Sequence, residues 1–224
     1  AVRYFLLREI PFGSDGVYTN EALLKRINAD LANDLGNLAS RTQAMITQYF
    51  GGTLPKFGET GAEDSELIAE CEALFGRVDA AMTALNVPDA LTEIFKVVQR
   101  ANKYIDETMP WALAKDEAKK DRLNDVLYNL AEAIQIGASL LDSFMPQTSE
   151  KILGAFGLKA RTLEECASFA KAEKVTVEAI APLFARMDFK NLQPEIEKIR
   201  DFDFSVFGID LGSIPSAFYG EFGI

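Results

Sequence analysis

The sequence predicts an all-α fold, an antiparallel bundle of about five main helices with an irregular C-terminal extension packing back on it. Three observations carry this prediction. Apolar residues recur at three- and four-residue spacing through most of the first 156 positions, the period of a helix buried along one face. Proline and glycine clusters break that period at intervals that leave only short links, as neighbouring antiparallel helices require. A chain of 224 residues with 48% apolar and 25% charged side chains, 15 Gly and 8 Pro can bury a core and has neither a disordered nor a fibrous composition.

The elements follow in order. Tyr4, Phe5, Leu7 and Ile10 suggest a short helix stopped by Pro11 and the turn cluster Phe12 to Gly16, so the chain reads as starting within an element. Thr19 or Asn20 can cap a long amphipathic helix. Its stripe is Leu23, Leu24, Ile27, Leu31, Leu35, Leu38, Thr42, Met45 and Ile46, and it stops at Phe50-Gly51-Gly52. A polar loop leads to a third helix, about Ala62 to Leu85. The break at Asn86 to Asp89 opens a fourth, about Ala90 to Glu107, and Pro110 interrupts again. A fifth runs from about Glu117 to Leu141, and a short segment from Gln147 to Phe156 follows Pro146. Weaker helices are expected near Leu163 to Ala170 and Asn191 to Arg200. The aromatic tail (Phe202, Phe204, Phe207, Phe218, Tyr219, Phe222) either packs on the bundle or waits for a partner domain. The expected organisation is a stem over 1–18, the bundle over 19–156 and the extension over 157–224, without internal repeats.

Composition excludes several chemistries. With no histidine, the chain cannot form a Ser-His-Asp triad or a Cys-His dyad, nor supply the Glu-x-x-His pairs of a di-iron bundle. Cys71 and Cys166 are too few and too far apart for a zinc ribbon and read as buried small apolar side chains. No apolar run reaches membrane-spanning length and no signal-peptide pattern opens the chain, so a cytoplasmic setting is expected. A net charge of -11 disfavours loose attachment to DNA, RNA or anionic membrane, which needs a basic surface, but permits a small specific RNA site. The charge is uneven. Glu59 to Asp89 holds eight acids and one base, Arg77, and should face water. Glu93 to Arg122 holds seven bases against six acids and is the stretch most suited to a polyanion.

Four colinear motifs and the N-terminal stretch then stand out. Ala29-Asp30-Leu31-Ala32-Asn33-Asp34-Leu35-Gly36-Asn37-Leu38-Ala39-Ser40-Arg41 resembles the first long helix of the anticodon-binding domain of methionyl-tRNA synthetases. Asn102 to Lys115, with Met109-Pro110-Trp111 inside it, resembles that family's Pro-Trp segment. Ser143 to Ile152 and Pro182 to Asp188 match further motifs in the same order, with Ala185 where the family usually has Pro. Arg3 to Gly16 resembles the stem leading from the catalytic domain. The resemblance covers about Ala1 to Asp188. Asp34-Leu35-Gly36-Asn37 lacks the tryptophan of the related synthetases for branched aliphatic amino acids, which favours methionine.

That resemblance implies contacts from Asn37, Arg41 and Trp111 to the CAU anticodon of methionine tRNA, with Pro110 shaping the last. It implies no catalytic residue and no metal site here. The class I ATP-binding signatures are absent from the sequence, so ATP, methionine and zinc would belong to a catalytic domain of the same enzyme, of which this chain reads as an excised part that should be inactive alone. The residues suit such a role. Asn37 and Arg41 stand one turn apart and flank the apolar stripe. An amide offers donor and acceptor to a base edge, a guanidinium a planar fork. Trp111 can stack on an unpaired base. Arg100, Lys103 and Lys115 are candidate phosphate contacts, and Asp30, Asp34, Asp106 and Glu107 are expected to hold these groups in place. Without the motif match, an Asn-Arg pair reads as solvated surface and a lone Trp after Pro as core. The alternative function is a helical protein-interaction scaffold that does not bind RNA.

Overall fold

The computed structural model describes residues 1–55, 58–172, 174–179 and 181–188. Helix α1 (Val2–Glu9) lies against the bundle. Tyr4 is fully buried, its ring 5.1 Å from that of Phe95, and its hydroxyl donates to Asp30 Oδ2 at 2.6 Å. The stem helix therefore belongs to the same core.

Thr19 caps the next helix, its hydroxyl accepting from Ala22 N–H. The predicted single long helix is continuous but not uniform. It runs as α2 (Asn20–Arg26), a wide π-wound stretch (Ile27–Gly36) and α3 (Asn37–Phe50), and the Asn37 N–H reaches back to Ala32 O. The apolar period by itself predicts regular α geometry throughout. Ile27, Leu31 and Leu35 recur at strict four-residue steps, and all are buried. Each such step drifts about 40° around an α-helix. The wider winding takes that drift back and keeps the stripe on the core.

Gly51 (φ +63°) and Gly52 (φ +90°) end α3 in the left-handed region and lead into β1 (Thr53–Leu54). After a single 3-10 turn, Ala62–Asp64, come α4 (Ser65–Thr83) and α5 (Val87–Thr108). Asn86 caps α5, its Oδ1 accepting from Asp89 N–H, and Pro88 opens it. A short α6 (Pro110–Leu113) follows, and then α7 (Lys120–Leu141) and α8 (Pro146–Ala155). The fold is the predicted helical bundle.

Helix α7 is its axis, buried on every side from Leu123 to Leu141. Its inward polar groups pin the irregular segments. Asp125 accepts from the Gly58 and Glu59 N–H groups at 2.9 and 3.2 Å. Glu132, fully buried, accepts from Ala172 N–H at 2.6 Å and pairs with Arg161. Gln135 and Ser139 bind Lys159 O and Arg161 N–H. These contacts fold the start of the extension back onto the bundle, as expected.

The expected helix near Leu163 to Ala170 is not formed. Thr162 and Glu165 exchange cap hydrogen bonds, yet only one 3-10 turn, Glu165–Ala167, follows before Ala170 enters the left-handed region (φ +57°). So short a segment cannot repay helix nucleation, and the Ser168 carbonyl is engaged by Arg161. An unpredicted strand, β2 (Val175–Thr176), pairs antiparallel with β1. Both cysteines are buried. The acidic stretch is largely exposed, with one correction: Asp64 is fully buried. The helix expected at Asn191 to Arg200 and the aromatic tail lie outside the described residues.

Candidate nucleic-acid interface

The first long helix and α5 run in the same direction and are stitched by a polar ladder. Gln99 Nε2 donates to Asp34 Oδ2 at 2.8 Å, Asn37 Nδ2 donates to Asn102 Oδ1 at 3.3 Å, and Arg41 Nη2 donates to Asp106 Oδ1 at 3.0 Å. Each rung joins residues 65 apart, which is possible only if the two helices are parallel and in step. Asn102 is the hinge of the ladder, since its own Nδ2 donates to the Asp34 and Val98 carbonyls at 3.1 and 3.2 Å. Burial pushes the Asp34 carboxyl above its ordinary range, against the pull of the Gln99 hydrogen bond.

Asn37 is exposed and its Oδ1 accepts no hydrogen bond from the described residues. Arg41 is one-third exposed and its ion pair is its only contact of that kind among them. Both groups can therefore turn to a ligand at the cost of one weak surface interaction each.

Met109 takes φ +45°, a left-handed position costly for a residue with a side chain, and closes α5 while opening α6. Pro110 is buried at the first position of α6. That anchor holds Trp111 outward, 42% exposed, beside Met109 at 48%. Lys115 is exposed on the same turn. Lys103 is exposed on α5, 3.3 Å from Glu107. Arg100 differs: its side chain is 9% exposed and its guanidinium lies between Glu66 and Glu107, at 3.1 and 2.9 Å, facing α4.

Of the four carboxylates expected to hold the candidate bases, two do so: Asp106 holds Arg41, and Glu107 holds Arg100 and Lys103, whereas Asp30 pairs with Arg26 and Asp34 accepts from the Gln99 amide. Gln99 and Asn102 were missed as members of the site. Their only sequence signal is a constant offset from Asp34 and Asn37, which has meaning once the helices are known to be parallel. Asn28 was missed as well. Its amide exchanges hydrogen bonds with the Met187 backbone, 2.6 Å to the carbonyl and 2.8 Å from the N–H, fixing 181–188 to the first long helix.

Trp111 is thus exposed on a proline anchor, and Asn37 and Arg41 offer an amide and a guanidinium on one of the two parallel helices, side chains of the kinds that can stack on or hydrogen-bond to unpaired bases. The family model described as tRNA synthetases class I (M) matches residues 1–43. The model described as the anticodon binding domain of methionyl tRNA ligase matches residues 54–192, and the chain belongs to that family. It is 50% identical over 200 residues to the methionine–tRNA ligase of Caldanaerobacter subterraneus subsp. tengcongensis, matching 88% of this chain and 31% of that protein. It is 48% identical over 202 residues to that of Clostridium tetani, again 31% of the relative. The chain thus spans about a third of the curated relatives it matches. The free-state crystal structure of Mycobacterium tuberculosis methionyl-tRNA synthetase superposes with a TM-score of 0.76 at 37% identity, covering 84% of this chain and 38% of that one. Among the described residues no helix is long and apolar enough to cross a membrane.

Proposed function

We propose that this chain reads the CAU anticodon of methionine tRNA for a cytoplasmic methionine–tRNA ligase, holding the tRNA while a catalytic domain elsewhere in the enzyme attaches methionine at the expense of ATP. The observation that carries this reading is the position of Trp111. The sole tryptophan of the chain stands 42% exposed beside a buried proline, where a core indole would be enclosed. An unpaired base stacks on it, worth about 1–3 kcal/mol. Asn37 and Arg41 satisfy base edges that a wrong anticodon leaves unpaired. Lys103 and Lys115 meet the phosphates. Arg100, shared by two carboxylates, contributes to that surface chiefly by orienting Glu107 and through it Lys103.

Filter binding of the chain with methionine tRNA and with the same tRNA carrying another anticodon tests the proposal. Retention should depend on the anticodon and be feeble without it, because a net charge of -11 supplies no general attraction to phosphate. Equal retention of both tRNAs sinks the assignment and leaves the interaction-scaffold reading.

A further inference from the structure

Beside the polar ladder lies an open groove of about 450 Å³ between the first long helix and the segment at 182–184. That is within the roughly 300–1,000 Å³ range of small-ligand sites. Its two walls differ in chemistry. On one, Asn33, Asn37 and Ser40 succeed each other at four- and three-residue steps along a single helix face, with Gly36 between them presenting no side chain. On the other, Leu183 and Phe184 pack partly against the core and turn their remaining surface to the groove. The Asn28 amide holds this wall through its two hydrogen bonds to Met187.

Among the described residues no charged side chain lines the groove. A phosphate or a carboxylate would find no cation there, and an aliphatic ligand would strand the amides and the hydroxyl. Asn33 and Ser40 donate and accept no side-chain hydrogen bond among the described residues, and Asn37 keeps its Oδ1 free. A flat heteroaromatic group with a hydrogen-bonding edge satisfies both walls. Asn37 belongs both to the groove and to the ladder, so an occupant of the groove is a neighbour of whatever Asn37 and Arg41 hold.

We propose that this groove is a second base pocket, taking an unpaired nucleobase other than the one stacked on Trp111, with Phe184 as its platform and Asn33 and Ser40 reading its edge. The proposal rests on the anticodon-reading function above and assigns to the segment at 182–184, far from the ladder in sequence, a direct share in base selection. Phe184 contacts the base, and Asn28 is a positioning residue.

The test is binding of the full 224-residue chain and its variants to an anticodon stem-loop and to three stem-loops, each abasic at one anticodon position. Phe184→Leu keeps the apolar bulk and removes the flat face, and should bind the intact stem-loop about ten-fold more weakly. The same variant should show no further loss on one of the abasic stem-loops, whose missing base is the occupant. Phe184→Tyr should restore affinity, and Asn33→Ala should lose it on the same position-specific pattern. Melting temperatures of all variants are read alongside. If Trp111→Ala loses affinity while Phe184→Leu and Asn33→Ala bind as the parent does, the pocket is refuted and the anticodon function stands. A Phe184→Leu loss that is equal on all four stem-loops makes the residue structural and also refutes the pocket. Failure of the parent chain to discriminate anticodons overturns both readings together.

Discussion

Arg41 donates one guanidinium N–H to Asp106 across 3.0 Å, with the two side chains 33% and 66% exposed. The cation is oriented in the free protein by a partner that water already screens. Such a pair is worth about 0–1 kcal/mol, less than the charge-assisted hydrogen bonds a base edge or phosphate can return. Arg41 is thus held ready without being held back. Arg41→Ala and Asn37→Ala should each weaken binding of the anticodon stem-loop by about 1–3 kcal/mol and leave folding stability within about 1 kcal/mol. Titration calorimetry beside thermal melts checks both. Unchanged RNA affinity, or a collapsed bundle, would make these residues structural.

Trp111 reports on its own role. Its emission in the free protein should be red-shifted, as for a solvated indole, and should be quenched on adding the stem-loop. Trp111→Ala should cost about 1–3 kcal/mol of affinity. Truncating an enclosed indole would instead cost about 3–5 kcal/mol of stability. Blue-shifted emission indifferent to RNA would contradict the exposed placement.

The buried Asp64 carboxylate should contribute to acid stability. Burial by itself would raise it, but hydrogen bonds from both Arg122 terminal nitrogens at 2.7 Å, from the Tyr104 hydroxyl at 2.6 Å and from Gly61 N–H at 2.7 Å hold it below its ordinary 3.8. Because the folded value is the lower one, its contribution is present above the unfolded value and is lost as pH falls through the folded one. Asp64→Asn should cost about 3–5 kcal/mol near neutral pH, and the gap from the parent should close as pH drops below 3.8. Urea melts across pH 2–7 read this, and a gap independent of pH would refute it.

Arg161, 4% exposed, meets Glu132, which has no exposed surface, while also engaging Gln135 and Ser168. Arg161→Met should destabilise by about 3–5 kcal/mol, because it leaves a buried carboxylate uncompensated. The double change Arg161→Met with Glu132→Leu should recover part of that loss. A double-mutant cycle in denaturant shows whether it does.

Gly137 lies inside α7 with nothing within 4 Å of the position a Cβ would take, beside the small apolar cavity bounded by Leu38, Phe95 and Ile152. Gly137→Ala should therefore stabilise by roughly 0.5–1 kcal/mol through helix propensity. A lowered melting temperature would show that the helix needs glycine there for another reason.

The helical architecture was legible because local periodicity and packing agree: a stripe such as Leu31, Leu35, Leu38 can be buried in only one way. Asn37, Arg41 and Trp111 could be named as candidates because the motifs around them are contiguous in sequence. Gly51-Gly52 and Pro110 marked their breaks because their backbone preferences are intrinsic. The parts that sequence did not determine depend on partners far along the chain. The π winding of Ile27–Gly36 answers to the core it must keep facing. Asp64 is buried because Arg122 and Tyr104 converge on it from other helices. The pairing of Thr53-Leu54 with Val175-Thr176 is too short to carry an alternating pattern. The polar ladder exists because tertiary packing sets two helices parallel at a fixed offset, and local propensity cannot encode an offset.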